Sequence, residues 1–94
     1  MFTEKIKQLR EYRQMPQRQF AAALEIDTAT YCKIEKGERR VRREQVLIIA
    51  KLLQTDENEL LTLWLAEQVT AVVENEKELS NKVLDIAKQK INKK

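Results

Sequence analysis

The sequence contains no histidine, and only one cysteine, one glycine and one proline among its 94 residues. With no imidazole and a single thiol, a zinc cluster and a His-based catalytic triad are excluded, and Cys32 has no disulfide partner within the chain. A lone glycine also rules out a glycine-rich phosphate loop, so no enzymatic reaction, metal, cofactor or small-molecule ligand is implied. Scarce glycine and proline leave little material for hairpins. Abundant Ala, Leu, Glu, Lys, Gln and Arg favour helices, and the fold class read from them is all-α. No stretch approaches the roughly 18 uninterrupted apolar residues of a membrane span. The opening Met1-Phe2-Thr3-Glu4-Lys5 lacks a basic region followed by an apolar run, so the expectation is a cytoplasmic chain with no membrane partner. At this length there is room for one core and a helical appendage.

The formal net charge of +3 hides an asymmetry. Residues 1–53 carry 12 Lys and Arg against 7 Asp and Glu, whereas residues 54–94 carry 6 against 8. Within the basic part, Lys33, Lys36, Arg39, Arg40, Arg42 and Arg43 stand against only Glu35 and Glu38. Such a cluster is either a polyanion footprint or a solvated, charge-mixed surface.

Helix ends are readable along the chain. Phe2, Ile6 and Leu9 recur at helical spacing behind a Thr3 N-cap, predicting a first helix to about Arg13. Pro16 is expected at the first position of a second helix, whose buried face is Phe20, Ala21 and Leu24. Asp27 is a good N-cap for a third, short helix with Tyr31 and Ile34 inward, and Gly37 falls where a left-handed C-terminal cap is needed. A fourth helix carries the stripe Val46, Ile49, Ala50 and Leu53. Capping-box-like pairs, Asp56 with Glu59 and Asn75 with Glu78, predict the starts of a fifth and a sixth.

The second and third helices are joined by a turn of three or four residues, so they must cross steeply, which small residues such as Ala21 and Ala22 allow. At about 100° per residue, Asp27, Tyr31 and Ile34 share one side of the third helix. Ala29, Lys33 and Lys36 face the other way, with Thr28 and Cys32 at the edges. This face of small, hydroxyl-bearing and basic residues suits a DNA major groove, where Lys donates to guanine O6 and N7 and a methyl group meets thymine.

The run Gln17-Arg18-Gln19-Phe20-Ala21-Ala22-Ala23-Leu24-Glu25-Ile26-Asp27, continued by Tyr31-Cys32-Lys33-Ile34-Glu35-Lys36-Gly37-Glu38-Arg39, resembles the Cro and lambda-repressor (XRE-type) helix-turn-helix. The resemblance extends from about Ile6 to Leu61, with Ile49-Ala50 and Leu53 also in register. It implies a five-helix DNA-binding domain over residues 1–61 and an added helical extension over 62–94. In proteins of this type the residue matching Gln17 contacts a phosphate, those matching Thr28, Ala29 and Lys33 read base edges, and those matching Arg10 and Glu35 form an ion pair that serves stability. Members include phage switches, restriction-modification controllers and antitoxins.

Two departures stand out. Glu25 occupies a turn position that usually holds Gly or Asn because φ is positive there, at a cost of about 1 kcal/mol. Val41-Arg42 replaces the usual Pro-Ser, which removes a Ser N-cap from the fourth helix and sets Arg42 and Arg43 against its macrodipole. Together with Lys36, Arg39 and Arg40, these two arginines are read as contacts to DNA phosphates. Cys32 admits a redox reading, but without a resolving thiol it is read as a small residue beside DNA.

Ten of the fourteen residues from Leu60 to Val73 are apolar and spread almost around the helix. Leu61, Trp64, Leu65, Val69, Val72 and Val73 exceed the single stripe a small domain covers, predicting a homodimer through the last two helices. A twofold dimer would set two recognition helices about 34 Å apart on a palindromic or near-palindromic site. The expected function is a sequence-specific regulator of transcription bound to double-stranded DNA. The competing class is an antitoxin-like interaction module whose C-terminal helices grip another protein while DNA binding is secondary.

Overall fold

The computed structural model describes residues 1–93, which form six helices in the order α1 (Phe2–Tyr12), α2 (Gln17–Ala23), α3 (Thr28–Glu35), α4 (Arg43–Leu53), α5 (Glu57–Val73) and α6 (Ser80–Asn92). There is no strand among the described residues, and no described helix is long and apolar enough to cross a membrane.

The helices assemble because each of the first five turns an apolar stripe to one core. Phe2 and Ile6 enter it from α1, Phe20, Ala21 and Leu24 from α2 and its cap, Tyr31 and Ile34 from α3, Val46, Ile49, Ala50 and Leu53 from α4, and Leu60 and Leu61 from α5. The Phe20 and Tyr31 rings stack with centroids 5.4 Å apart, an offset contact that locks α2 against α3. Ala21 lets the two helices approach, whereas Ala22 faces solvent and has no part in the crossing. A bond from the Phe2 N–H to Glu67 Oε2 at 2.9 Å ties the start of α1 to α5.

Four successive helices end alike. After α1, α2, α3 and α4, the residues Gln14, Glu25, Gly37 and Gln54 take positive φ of 55°, 58°, 78° and 53°. Each end carries the paired backbone bonds of a Schellman closure; for α3 these are Glu38 N–H to Lys33 O at 2.9 Å and Gly37 N–H to Ile34 O at 3.0 Å. The expected left-handed conformations of Gly37 and Glu25 are both present. Three of the four closures use residues with a Cβ, so each stores strain that glycine would release. Replacing Glu25 by Gly is expected to raise stability by about 0.5–1 kcal/mol, read as a higher urea midpoint at unchanged m-value. A lower midpoint would show that Glu25 tolerates the left-handed turn at no cost.

The helix starts differ from expectation in four places. Met1, not Thr3, is the N-cap of α1. Pro16 is the extended N-cap of α2 (φ −77°, ψ 150°) rather than its first helical residue, since its ring fixes φ but leaves ψ free to stay extended. Asp56 caps α5 by accepting from Asn58 N–H at 3.0 Å, without a return bond from Asp56 N–H to Glu59 among the described residues. Asn75 and Glu78 cap nothing: residues 74–79 form turns closed by their own backbone, as in Ser80 N–H to Glu76 O at 2.7 Å, and α6 starts at Ser80 without a side-chain cap. The division expected after Leu61 falls within α5, whose first turns belong to the core and whose later turns largely do not.

Candidate nucleic-acid interface

The side chains that face away from the core on α3 are placed by the ones that face into it. Tyr31 and Ile34 are fully buried, which fixes the rotation of the helix and leaves Thr28, Ala29, Lys33 and Lys36 exposed, with Cys32 half-buried at the edge. Asp27 holds the N-terminus by accepting from Thr30 N–H at 2.7 Å. Hydrogen bonding from Thr30 keeps the Asp27 carboxyl below the usual carboxylate range, so the cap stays charged.

Beyond Gly37 the chain runs to α4 with Arg39, Arg40, Arg42 and Arg43 exposed and Val41 buried among them. Val41 anchors the segment twice, by its side chain in the core and by its carbonyl, which accepts from Trp64 Nε1 at 3.0 Å. The guanidinium groups are thus presented from a segment pinned at its middle. No ion pair among the described residues involves Lys33, Lys36 or any of these four arginines. Arg42 makes no side-chain cap bond to α4, and Gln45 Oε1 accepts instead from the cap residue's own N–H at 2.9 Å.

Arg10 and Glu35 form the ion pair the resemblance implies. Arg10 Nε lies 2.7 Å from Glu35 Oε2 and Nη2 lies 3.0 Å from Oε1, a bidentate contact, while Nη1 donates to Met15 O at 2.9 Å. The Glu35 side chain is only 2% exposed. Burial alone would push its carboxyl up, but hydrogen bonds from Arg10 and Gln17 and the Arg10 charge outweigh it, holding Glu35 below its ordinary value of 4.5. The same contact raises Arg10. One guanidinium therefore joins α1, the turn before α2 and the end of α3.

Gln17 belongs to this cluster, its Nε2 donating to Glu35 Oε1 at 3.0 Å. Its placement at the first turn of α2 is the expected one, but part of its hydrogen-bonding capacity is spent inward. Neither this contact nor the Trp64–Val41 bond is readable from spacing, because each joins residues 18 or 23 positions apart. Beside the cluster lies the Tyr31 hydroxyl, buried with no hydrogen-bond partner among the described residues. Burial first, and then the negative charge of Glu35, push the phenol up, so it stays protonated.

The six residues expected at a dimer interface are not placed alike. Leu61 is buried in the chain's own core, Val73 is buried near the end of α5, and Trp64 is half-buried with its indole N–H spent on Val41. Leu65, Val69 and Val72 are 45%, 50% and 79% exposed. A groove of about 590 Å³ lies between α5 and the arginine segment, lined among others by Trp64, Gln68 and Val72 on one side and by Arg39, Arg40 and Val41 on the other.

Residues 2–63 match a family model described as a helix-turn-helix domain. No curated protein and no solved structure matches the chain.

Proposed function

The chain belongs to the helix-turn-helix domain family, and from that premise we propose that it is a sequence-specific transcriptional regulator acting as a homodimer on a palindromic operator. The observation that carries this reading is the outward face of α3 and its continuation: Thr28, Ala29, Lys33 and Lys36 exposed on one side, leading into four exposed arginines without ion-pair partners among the described residues. The roles divide by chemistry. Arg39, Arg40, Arg42, Arg43 and Lys36 supply sequence-independent attraction to phosphates, and Gln17 adds one positioned contact. Thr28, Ala29 and Lys33 read base edges in the major groove. Occupancy of the operator would follow protein concentration and cooperative binding, as in phage switches and restriction-modification controllers.

Selection of bound sites from random duplexes tests specificity, half-site spacing and symmetry together. The expected result is an inverted repeat with half-sites one helical turn apart; Lys33→Ala then relaxes preference at one base pair per half-site, costing about 1–3 kcal/mol on the preferred sequence. Equal recovery of all sequences would overturn base readout. Uniform weakening by Lys33→Ala would move that lysine to the phosphate-contacting set.

The uncovered aliphatic side chains of α5 and α6 favour one second reading, an antitoxin-like module that grips a different protein. A stoichiometric non-self partner that co-purifies with the chain and covers those helices would support it.

A further inference from the structure

Two apolar stripes remain open on the chain. On α5, Leu65, Val69 and Val72 are exposed at spacings of four and three; on α6, Leu79, Val83 and Ile86 repeat those spacings from its N-cap onward, and α6 buries none of its residues. Stripes of this spacing pack as the seam of two helices with knobs in holes. The chain does not close its own seam, because both sets are exposed together.

The charges beside the stripes differ in sign. From Glu57 to Val73, α5 has no Lys or Arg, and Glu57 and Glu59 flank the N-terminal end of its stripe at about 100° per residue. On α6, Lys90 lies in line with the stripe at its C-terminal end and Lys93 follows just beyond. An antiparallel match sets Leu79 against Val72, Val83 against Val69 and Ile86 against Leu65. The same register sets Lys93 opposite Asn58, between Glu57 and Glu59, and Lys90 opposite Thr62, within one helical turn of Glu59. Pairing α5 with a second α5 would instead leave these carboxylates without a cation, because that helix has none.

We propose that α6 of each copy packs antiparallel across α5 of a second copy, giving a dimer with two equivalent exchanged seams. This rests on the dimer reading above and specifies its interface. Each copy presents one stripe and covers one, so a twofold axis satisfies both.

The test uses the full chain, with dimerisation measured by sedimentation equilibrium and mixtures resolved by native mass spectrometry. Glu57→Lys/Glu59→Lys puts base against base in both seams, and Lys90→Glu/Lys93→Glu puts acid against acid. Each double variant alone should dimerise at least about 30-fold more weakly than wild type at low salt. Mixed together they restore opposite charges in both seams and should form a one-to-one heterodimer at near wild-type affinity. Lys90 and Lys93 are exposed with no ion-pair partner among the described residues, and circular dichroism of each variant checks that helix content is kept. A wild-type dimer unaffected by Lys90→Glu/Lys93→Glu, with no gain on mixing, overturns the exchanged seam and leaves the dimer standing. A wild-type monomer at millimolar concentration, or a chain that assembles only with a different protein, overturns both.

Discussion

Replacing Arg10 by Met is expected to destabilise the fold by about 3–5 kcal/mol at pH 7, because it leaves the Glu35 carboxylate buried without its cation. A chain of this length has a total stability of about 5–14 kcal/mol, so this single change removes a large share of it. The cost comes from Glu35 being 2% exposed and receiving two of the three bonds Arg10 donates. An exposed pair would give only about 0–1 kcal/mol. The pH dependence should reverse as well. In the wild type the folded-state pKa of Glu35 lies below its ordinary value of 4.5, so the stabilisation is present above that value and lost as pH falls through the lower, folded value. In Arg10→Met, burial becomes the largest remaining influence on the carboxyl and raises it. The folded state then binds the proton more tightly, and the variant should gain stability as pH falls from 7 towards 5. Urea titrations at pH 7, 5 and 4 read both signs. A variant whose stability is flat over this range would mean that Gln17 alone compensates the carboxylate.

The positions in this cluster were legible in the sequence only through resemblance, since nothing local in residues 10 and 35 says that they meet. Where the determinant is a repeat of about 3.6 residues along one helix, the sequence suffices: the inward residues Ile6, Phe20, Leu24, Tyr31, Ile34, Val46, Ile49 and Leu53 are all buried. The left-handed ends were legible for a different reason. Gly37 is the only glycine and follows a helix, and Glu25 stands at a turn position where the resemblance implies Gly or Asn at positive φ. Caps were the weakest, because a helix can start without any side-chain cap, its first N–H groups left to the backbone or to solvent. Thr3 and Asn75 lost to Met1 and to a closed backbone turn in this way.

On α5 the sequence signalled excess apolar surface but not its distribution. A helix apolar nearly all round does not say which side its own domain takes, and that depends on where the segment around Val41 lies. Trp64 turns inward because a carbonyl there accepts its N–H, and Leu61 enters the core with Leu60. What is left for a partner is therefore a narrower stripe than composition alone implied, centred on Leu65, Val69 and Val72. The same bond that turns Trp64 inward holds the arginine segment, so the helix that carries the open stripe also positions the residues proposed to meet phosphate.

Neutralising that segment should give the largest change in DNA affinity. The variant Arg39→Ala/Arg40→Ala/Arg42→Ala/Arg43→Ala removes up to eight phosphate contacts from a dimer, and each contact contributes about 0.9 to the slope of log affinity against log salt. A protein with that number of contacts loses about 10³–10⁵-fold in affinity between about 50 and 200 mM salt, whereas the variant, left with Lys36 in each half-site, should lose only about 10-fold over the same range and be correspondingly weaker at the lower salt. Titration of a selected operator at several salt concentrations gives the slope directly. Loss of fold could mimic the weakening, but stability is expected to move the other way. Arg42 is the N-cap of α4 and Arg43 its first residue, where a cation opposes the helix macrodipole by about 0.3–1 kcal/mol each. Four guanidinium groups within five residues, without ion-pair partners among the described residues, also repel one another. The variant should therefore unfold at a higher urea concentration than the wild type while binding DNA far more weakly. A variant that binds with an unchanged salt slope removes these arginines from the interface, and one that is both less stable and weaker in binding assigns them to the fold.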